Sequence, residues 1–170
     1  MSADFTYRLR IPHVSGTLER VTGTIAREKG LIGDIETITV SQETSLREIT
    51  IEVEDDDHAE RMSEALAGMD GVEVLGTYDR ALVAHEGGKL GTQARRPLRT
   101  FQDTRDVYTP GVARACRAIE RDPAAATDLT MIPRSVAICT NGTRVLGLGD
   151  IGPVAAMPVM EGKALFYTEF

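Results

Sequence analysis

Residues 147–152 read GLGDIG, a G-x-G-x-x-G pattern. Glycines at this spacing let a backbone approach a dinucleotide pyrophosphate at the mouth of a helix. That chemistry needs a strand before the turn, a helix after it, and an acid about 20 residues on, ending a second parallel strand. Glu169 lies near that distance. The preceding run, TRVLGLG, reads instead as the second arm of a hairpin. Its centre is Asn141-Gly142, since Asn-Gly between apolar runs favours a turn with two residues at positive φ. An antiparallel approach does not suit a βαβ unit. The glycines are therefore expected to form a tight strand-to-helix turn, with Pro153 opening the next helix.

Other chemistry-bearing residues are scattered. Arg95, Arg96, Arg99 and Arg105 gather in a stretch punctuated by Gly87-Gly88, Gly91 and Pro97. A solvated linker is expected there over an anion patch. Cys116 and Cys139 are the only cysteines. Their spacing suits neither a metal knuckle nor a disulfide framework, so both are expected reduced. No His or Asp at a fixed offset supports a thiolate at Cys116. His58 and His85 show no ligand pattern. The segment HVSGTL, residues 13–18, joins a strand to a helix. Gly16 lets the backbone come close to a ligand, and helix N-terminal amides favour a carboxylate; a plain glycine turn is the equal alternative.

The elements that must carry these residues follow from periodicity. Phe5, Tyr7, Leu9 and Ile11 alternate with polar residues, the mark of a half-buried strand. Leu18, Val21 and Ile25 form a helical face, with Gly30 as its stop. Two strands follow around IETITV and REITIEVE, joined by the polar turn SQETS. Asp55, Asp56 and Asp57 suit the positive end of a helix dipole, and Met62, Leu66 and Met69 face inward. VEVLGTYDR supplies a last strand. The order β-α-β-β-α-β is a ferredoxin-like α+β arrangement, with two helices on one face of an antiparallel sheet. After the linker, Thr109 is placed to cap a helix opened by Pro110, with Val112, Cys116 and Ile119 as its face and Asp122-Pro123 as its end. AAATDL adds a short helical piece.

Composition bounds the function. The 170 residues carry a net charge of −7. Residues 1–85 hold eight Lys/Arg against 17 Asp/Glu, and residues 86–170 hold eleven against nine. A shift of that size predicts two units with different tasks. The acidic first unit argues against nucleic-acid binding. No apolar run is long enough to span a membrane, and the N-terminus has no signal-peptide character. A cytoplasmic protein is the expectation.

Three blocks then acquire a common meaning. YTPGVARAC (108–116), NGTRVLGLGDIGP (141–153) and PVMEGKALF (158–166) resemble consecutive blocks that open the catalytic part of bacterial malic enzymes. Those enzymes oxidise and decarboxylate malate to pyruvate. The first 80 residues resemble an ACT domain, a βαββαβ module that often binds a small effector such as an amino acid. The resemblance implies an ACT-type regulatory domain at 1–83, a linker at 84–104, and the start of an incomplete α/β malic enzyme N-terminal domain at 105–170. It implies catalytic roles for Tyr108 and Lys163, a carboxylate contact at Arg144, and effector contacts at His13, Ser15 and Gly16. Asn141 stands where the family's DGT has its acid. The family's divalent-metal carboxylates and dinucleotide domain lie beyond the last residue here. The complete enzyme is expected to use NAD or NADP and a divalent metal, Mg or Mn, and to form a homodimer. This chain alone is expected to be a truncated, inactive portion that binds neither cofactor. A stand-alone amino-acid-sensing regulatory protein is the alternative.

Overall fold

The computed structural model describes residues 2–170. The chain divides into two units, Met1–Gly87 and Gly88–Phe170.

In the first unit, β1 (Ala3–Pro12), α1 (Thr17–Arg27), β2 (Leu31–Val40), β3 (Thr44–Val53), α2 (Asp56–Ala67) and β4 (Glu73–Asp79) follow in the expected order. The sheet order is β2-β3-β1-β4, with every neighbouring pair antiparallel. Alternation sorts the side chains. Tyr7, Leu9 and Ile11 of β1 and Ile49, Ile51 and Val53 of β3 point to one face. There they meet Val21 and Ile25 of α1 and Ala59, Met62 and Leu66 of α2. The opposite face is polar: Thr6 lies opposite Thr50, and Arg8 opposite Glu48.

Local chemistry starts and stops these helices. The Asp55 carboxylate accepts the His58 N–H at 2.8 Å and caps α2, where Asp56 and Asp57 also meet the dipole. Helix α1 ends differently from expectation. Lys29, with φ 64°, takes the left-handed position, and the Gly30 N–H bonds back to the Ile25 carbonyl at 3.0 Å. Gly30 is needed for close packing instead. A Cβ there would lie 2.6 Å from Ile51 Cγ2 and 2.7 Å from Met62 Cε.

A six-residue helix, α3 (Arg80–His85), follows β4 directly, capped by Asp79, whose carboxylate accepts the Leu82 N–H. It begins ahead of the expected 84–104 linker. No helix or strand occupies residues 86–100.

The second unit is built from short helices: α4 (Phe101–Val107), α5 (Val112–Arg121), α6 (Ala126–Leu129), α7 (Gly152–Ala155) and α8 (Met157–Glu169). Single 3₁₀ turns at Pro123–Ala125 and Ile132–Arg134 flank α6. Two expectations fail here. Thr109 caps nothing: the Thr109-Pro110 bond is cis, and α5 starts at Val112 after Gly111. The hairpin at Asn141-Gly142 does not form either. Its turn requires positive φ at both residues, and only Gly142 has it, at 72°. The residues on either side form no strand among the described residues. No helix among them is long and apolar enough to cross a membrane.

Burial differs between the units. The packed cluster of apolar side chains belongs wholly to the first. In the second, Ala156 is the one buried hydrophobic residue among those described, while Phe101, Leu146, Val154 and Phe166 are each at least 66% exposed.

Candidate functional site

Tyr108 sits at the corner between α4 and α5. Helix α4 is anchored at its start by a capping box: the Thr100 hydroxyl accepts the Asp103 N–H at 3.0 Å, and Asp103 Oδ2 accepts the Thr100 N–H at 2.8 Å. Asp103 Oδ2 also accepts the Arg99 N–H at 2.9 Å. That backbone bond, with donation from Thr100, lowers the Asp103 carboxyl below its ordinary range. At the other end the Tyr108 N–H donates to the Thr104 carbonyl at 2.9 Å. The Tyr108 carbonyl accepts the Val112 N–H, and the Arg105 carbonyl accepts the Gly111 N–H at 2.8 Å. The corner thus holds the tyrosine backbone from both helices and leaves its ring 68% exposed.

Arg144 lies in the loop before α7. The Asn141 side chain accepts from the Thr143 N–H at 3.2 Å and the Thr143 hydroxyl at 2.8 Å, closing a small turn. The Gly142 carbonyl accepts the Ile151 N–H at 3.1 Å. Gly142 packs so tightly on the Gly152 carbonyl that a Cβ would collide with it. Asn141 therefore suffices for the turn without an acid. Val145 and Gly149 exchange two backbone bonds of 2.8 Å, curling the GLGDIG loop on itself, with Gly147, Gly149 and Gly152 all at positive φ.

Lys163 is an exposed residue of α8. The start of α8 is clamped by Lys89, whose Nζ donates to the Pro158 carbonyl at 2.9 Å and whose N–H donates to the Glu161 carboxylate at 3.1 Å. Neither Lys89 nor Glu161 is evident from sequence, because the pairing spans 72 residues. The Thr100-x-x-Asp103 box, by contrast, is a signal the sequence carries openly.

The Gly142–Gly152 contact ties the Arg144 loop to the start of α7, and α7 runs into α8. Among the described residues, no hydrogen bond or ion pair joins Tyr108, Arg144 and Lys163 to one another. Arg99 and Arg105 enter these bonds only through their backbones. Arg95 and Arg96 line a cleft of about 640 Å³ with Arg134 and Asp128. Both cysteines are exposed free thiols, so Cys116 is not buried on the helix face expected of it with Val112 and Ile119.

Two implied groups can be tested against these residues. Among the described residues no cluster of three His, Cys, Asp or Glu side chains could hold a metal ion. The GLGDIG turn follows no strand and opens a helix of four residues, so it lacks the βαβ frame a pyrophosphate cradle requires. The residues present do not fit either group.

In the first unit, residues 13–16 form the exposed loop between β1 and α1. The His13 N–H donates to the Glu43 carbonyl at 2.8 Å, and Gly16, at φ 86°, precedes α1 with no side-chain cap. Thr17 is 2% exposed, and its hydroxyl has no partner among the described residues. His58 is a structural bridge. Its Nδ1 accepts the Glu54 N–H at 3.1 Å and its Nε2 meets the Glu28 carbonyl at 2.7 Å. Those partners make the neutral Nε2–H tautomer the one that satisfies both bonds.

Residues 88–170 match the malic enzyme N-terminal domain. The chain is 42% identical over 165 residues to NAD-dependent malic enzyme 1 of Bacillus subtilis, covering 96% of this chain and 38% of that protein. It is 47% identical over 83 residues to the NADP-dependent malic enzyme of Salmonella typhimurium, covering 49% of this chain and 11% of that one. The malic enzyme structure from Pyrococcus horikoshii superposes with a TM-score of 0.51 at 41% identity, over 54% of this chain and 22% of that one. The chain thus spans well under half the length of each. Its second unit is similar in sequence to malic enzyme N-terminal domains, and nearly the whole chain is similar to part of an NAD-dependent malic enzyme.

Proposed function

We propose that this chain supplies the tyrosine and lysine of an enzyme that oxidises and decarboxylates malate to pyruvate. The observation that carries the reading is the match of residues 88–170, in which Tyr108, Arg144 and Lys163 lie in ordered, recognisable blocks. In this reading a nicotinamide, NAD or NADP, would supply a hydride acceptor and a divalent cation would supply a Lewis acid, and the residues described here fit neither group. The chain spans 38% of the length of the Bacillus subtilis relative.

The Lys163 amine takes the proton from the malate C2 hydroxyl, a role that needs partial desolvation or a nearby cation. The Tyr108 hydroxyl returns a proton to carbon after CO2 leaves. Arg144 grips a substrate carboxylate through two parallel bonds. Joining residues 1–170 to the remainder of the Bacillus subtilis relative gives a testable enzyme. With malate, NAD and Mn²⁺ it is expected to reduce NAD. Tyr108→Phe and Lys163→Ala are each expected to lower kcat by at least ~100-fold with folding intact by circular dichroism. Near-native turnover by both variants would falsify the assignment. The purified 170-residue chain is expected to show no turnover.

We read the first unit as an ACT-type effector domain, with His13, Ser15 and Gly16 as ligand contacts. Its βαββαβ order and the unpartnered Thr17 hydroxyl at the start of α1 support this. A nitrogen-15 titration with each common amino acid is expected to shift the amides of residues 13–17. A silent loop across the whole panel removes the reading.

A further inference from the structure

The sheet face opposite α1 and α2 holds a cleft of about 540 Å³, lined by Thr6, Arg8, Glu48, Tyr78, Arg80, Val83 and Ala84. Its size suits a small molecule. Strand register builds the floor and α3 builds one wall. Thr6 and Thr50 face each other across β1 and β3, their hydroxyl oxygens 3.2 Å apart.

The two arginines there are in different states. Arg8 is saturated: its Nε donates to Glu48 Oε1 at 2.7 Å, its Nη2 lies 2.5 Å from the same oxygen, and its guanidinium carbon sits 5.6 Å from the Tyr78 ring centre. Arg80 has no carboxylate partner among the described residues. It reaches only the Thr6 and Thr50 hydroxyls, both at 3.4 Å through Nη1. One guanidinium edge is therefore open, in a chain whose first unit is acidic. Glu48 Oε2 accepts no hydrogen bond among the described residues. The cleft thus offers an open cation fork, a spare carboxylate oxygen and an apolar wall from Val83 and Ala84.

We propose that this cleft binds a small 2-amino or 2-hydroxy acid: its carboxylate on Arg80, its 2-substituent donating to Glu48, and its aliphatic end against Val83 and Ala84. Bidentate pairing with a planar carboxylate is what a guanidinium fork fits best. The site is separate from the loop of residues 13–16 and stands independently of the malate reading.

Three probes of one shape test it on the 170-residue chain: L-valine, L-2-hydroxyisovalerate and isovalerate. Calorimetry and nitrogen-15 spectra read affinity and location. At least one of the first two is expected to saturate, shifting the Thr6, Thr50 and Val83 amides. Isovalerate, lacking the donor, is expected to bind several-fold more weakly. Arg80→Gln should weaken binding at least ~10-fold, while Arg80→Lys keeps the charge but loses the fork and falls between. Glu64→Gln, on α2 across the sheet from the cleft, should leave binding unchanged. The proposal is overturned if no probe saturates at millimolar concentration, if Arg80→Gln binds as the parent does, or if shifts centre on residues 13–16. Equal binding of all three probes overturns the role given to Glu48.

Discussion

Tyr7 joins packing to titration in one side chain. Its ring is fully buried in the core, and its hydroxyl donates to the Ala59 carbonyl at 3.0 Å, tying β1 to α2. Burial raises its pKa from 10.0 to about 12. An acid whose folded pKa is raised keeps its full contribution below the unfolded value. It loses that contribution as pH climbs from there toward the folded value. The parent chain is therefore expected to lose stability between pH 10.0 and about 12, on the order of 1 kcal/mol per pH unit. Tyr7→Phe should cost about 1 kcal/mol at neutral pH by removing the hydroxyl's bond to the Ala59 carbonyl, and should then show a flatter alkaline slope. Urea titrations at neutral and alkaline pH check both; parallel slopes would sink the account. The same scale shows where sequence reading stops. His58 looks unremarkable in the string DDDHAE, because its partner carbonyl at Glu28 becomes a neighbour only once α1 and α2 pack.

Among the elements, the four strands and two long helices of the first unit were legible because each satisfies one simple rule. Alternation at Phe5, Tyr7, Leu9 and Ile11 and the 3–4 spacing at Val21 and Ile25 both end in the same core. The second unit resisted the same treatment. Asn141-Gly142 is a strong hairpin signal by composition, yet its carbonyl bonds Ile151 and its Cα rests on Gly152. A tertiary contact ten residues away overrode the local preference. Helix α3 was missed because six residues, ALVAH after Arg80, cannot show a helical period. The corner at Tyr108 was read as the entrance to a helix capped by Thr109, whereas Tyr108 closes α4 and α5 begins only at Val112, the backbone of Thr104 and Arg105 holding the turn between them.

Across the molecule, the contrast in burial sets expectations for motion. A unit with a dense apolar cluster opens only globally, whereas exposed helices with few buried contacts open locally. Backbone amides of Leu9, Ile49 and Ile51 are expected to exchange last with deuterium. Those of α4, α5 and α8 should exchange at least ~100-fold faster. Mass spectrometry of the exchanged chain reads this directly, and uniform protection across both units would contradict it. The candidate catalytic residues Tyr108, Arg144 and Lys163 all lie in the lightly packed unit. The sequence marked them through block order alone, since nothing in their spacing shows which surfaces cover them.

The strands of the β2-β3-β1-β4 sheet all come from the first 79 residues. A ribosome reading this message would therefore release every piece of that sheet before the tyrosine and lysine emerged from the exit tunnel. The nascent chain would carry one finished, acidic module ahead of helices still awaiting company, and it is those late helices that a chaperone would meet.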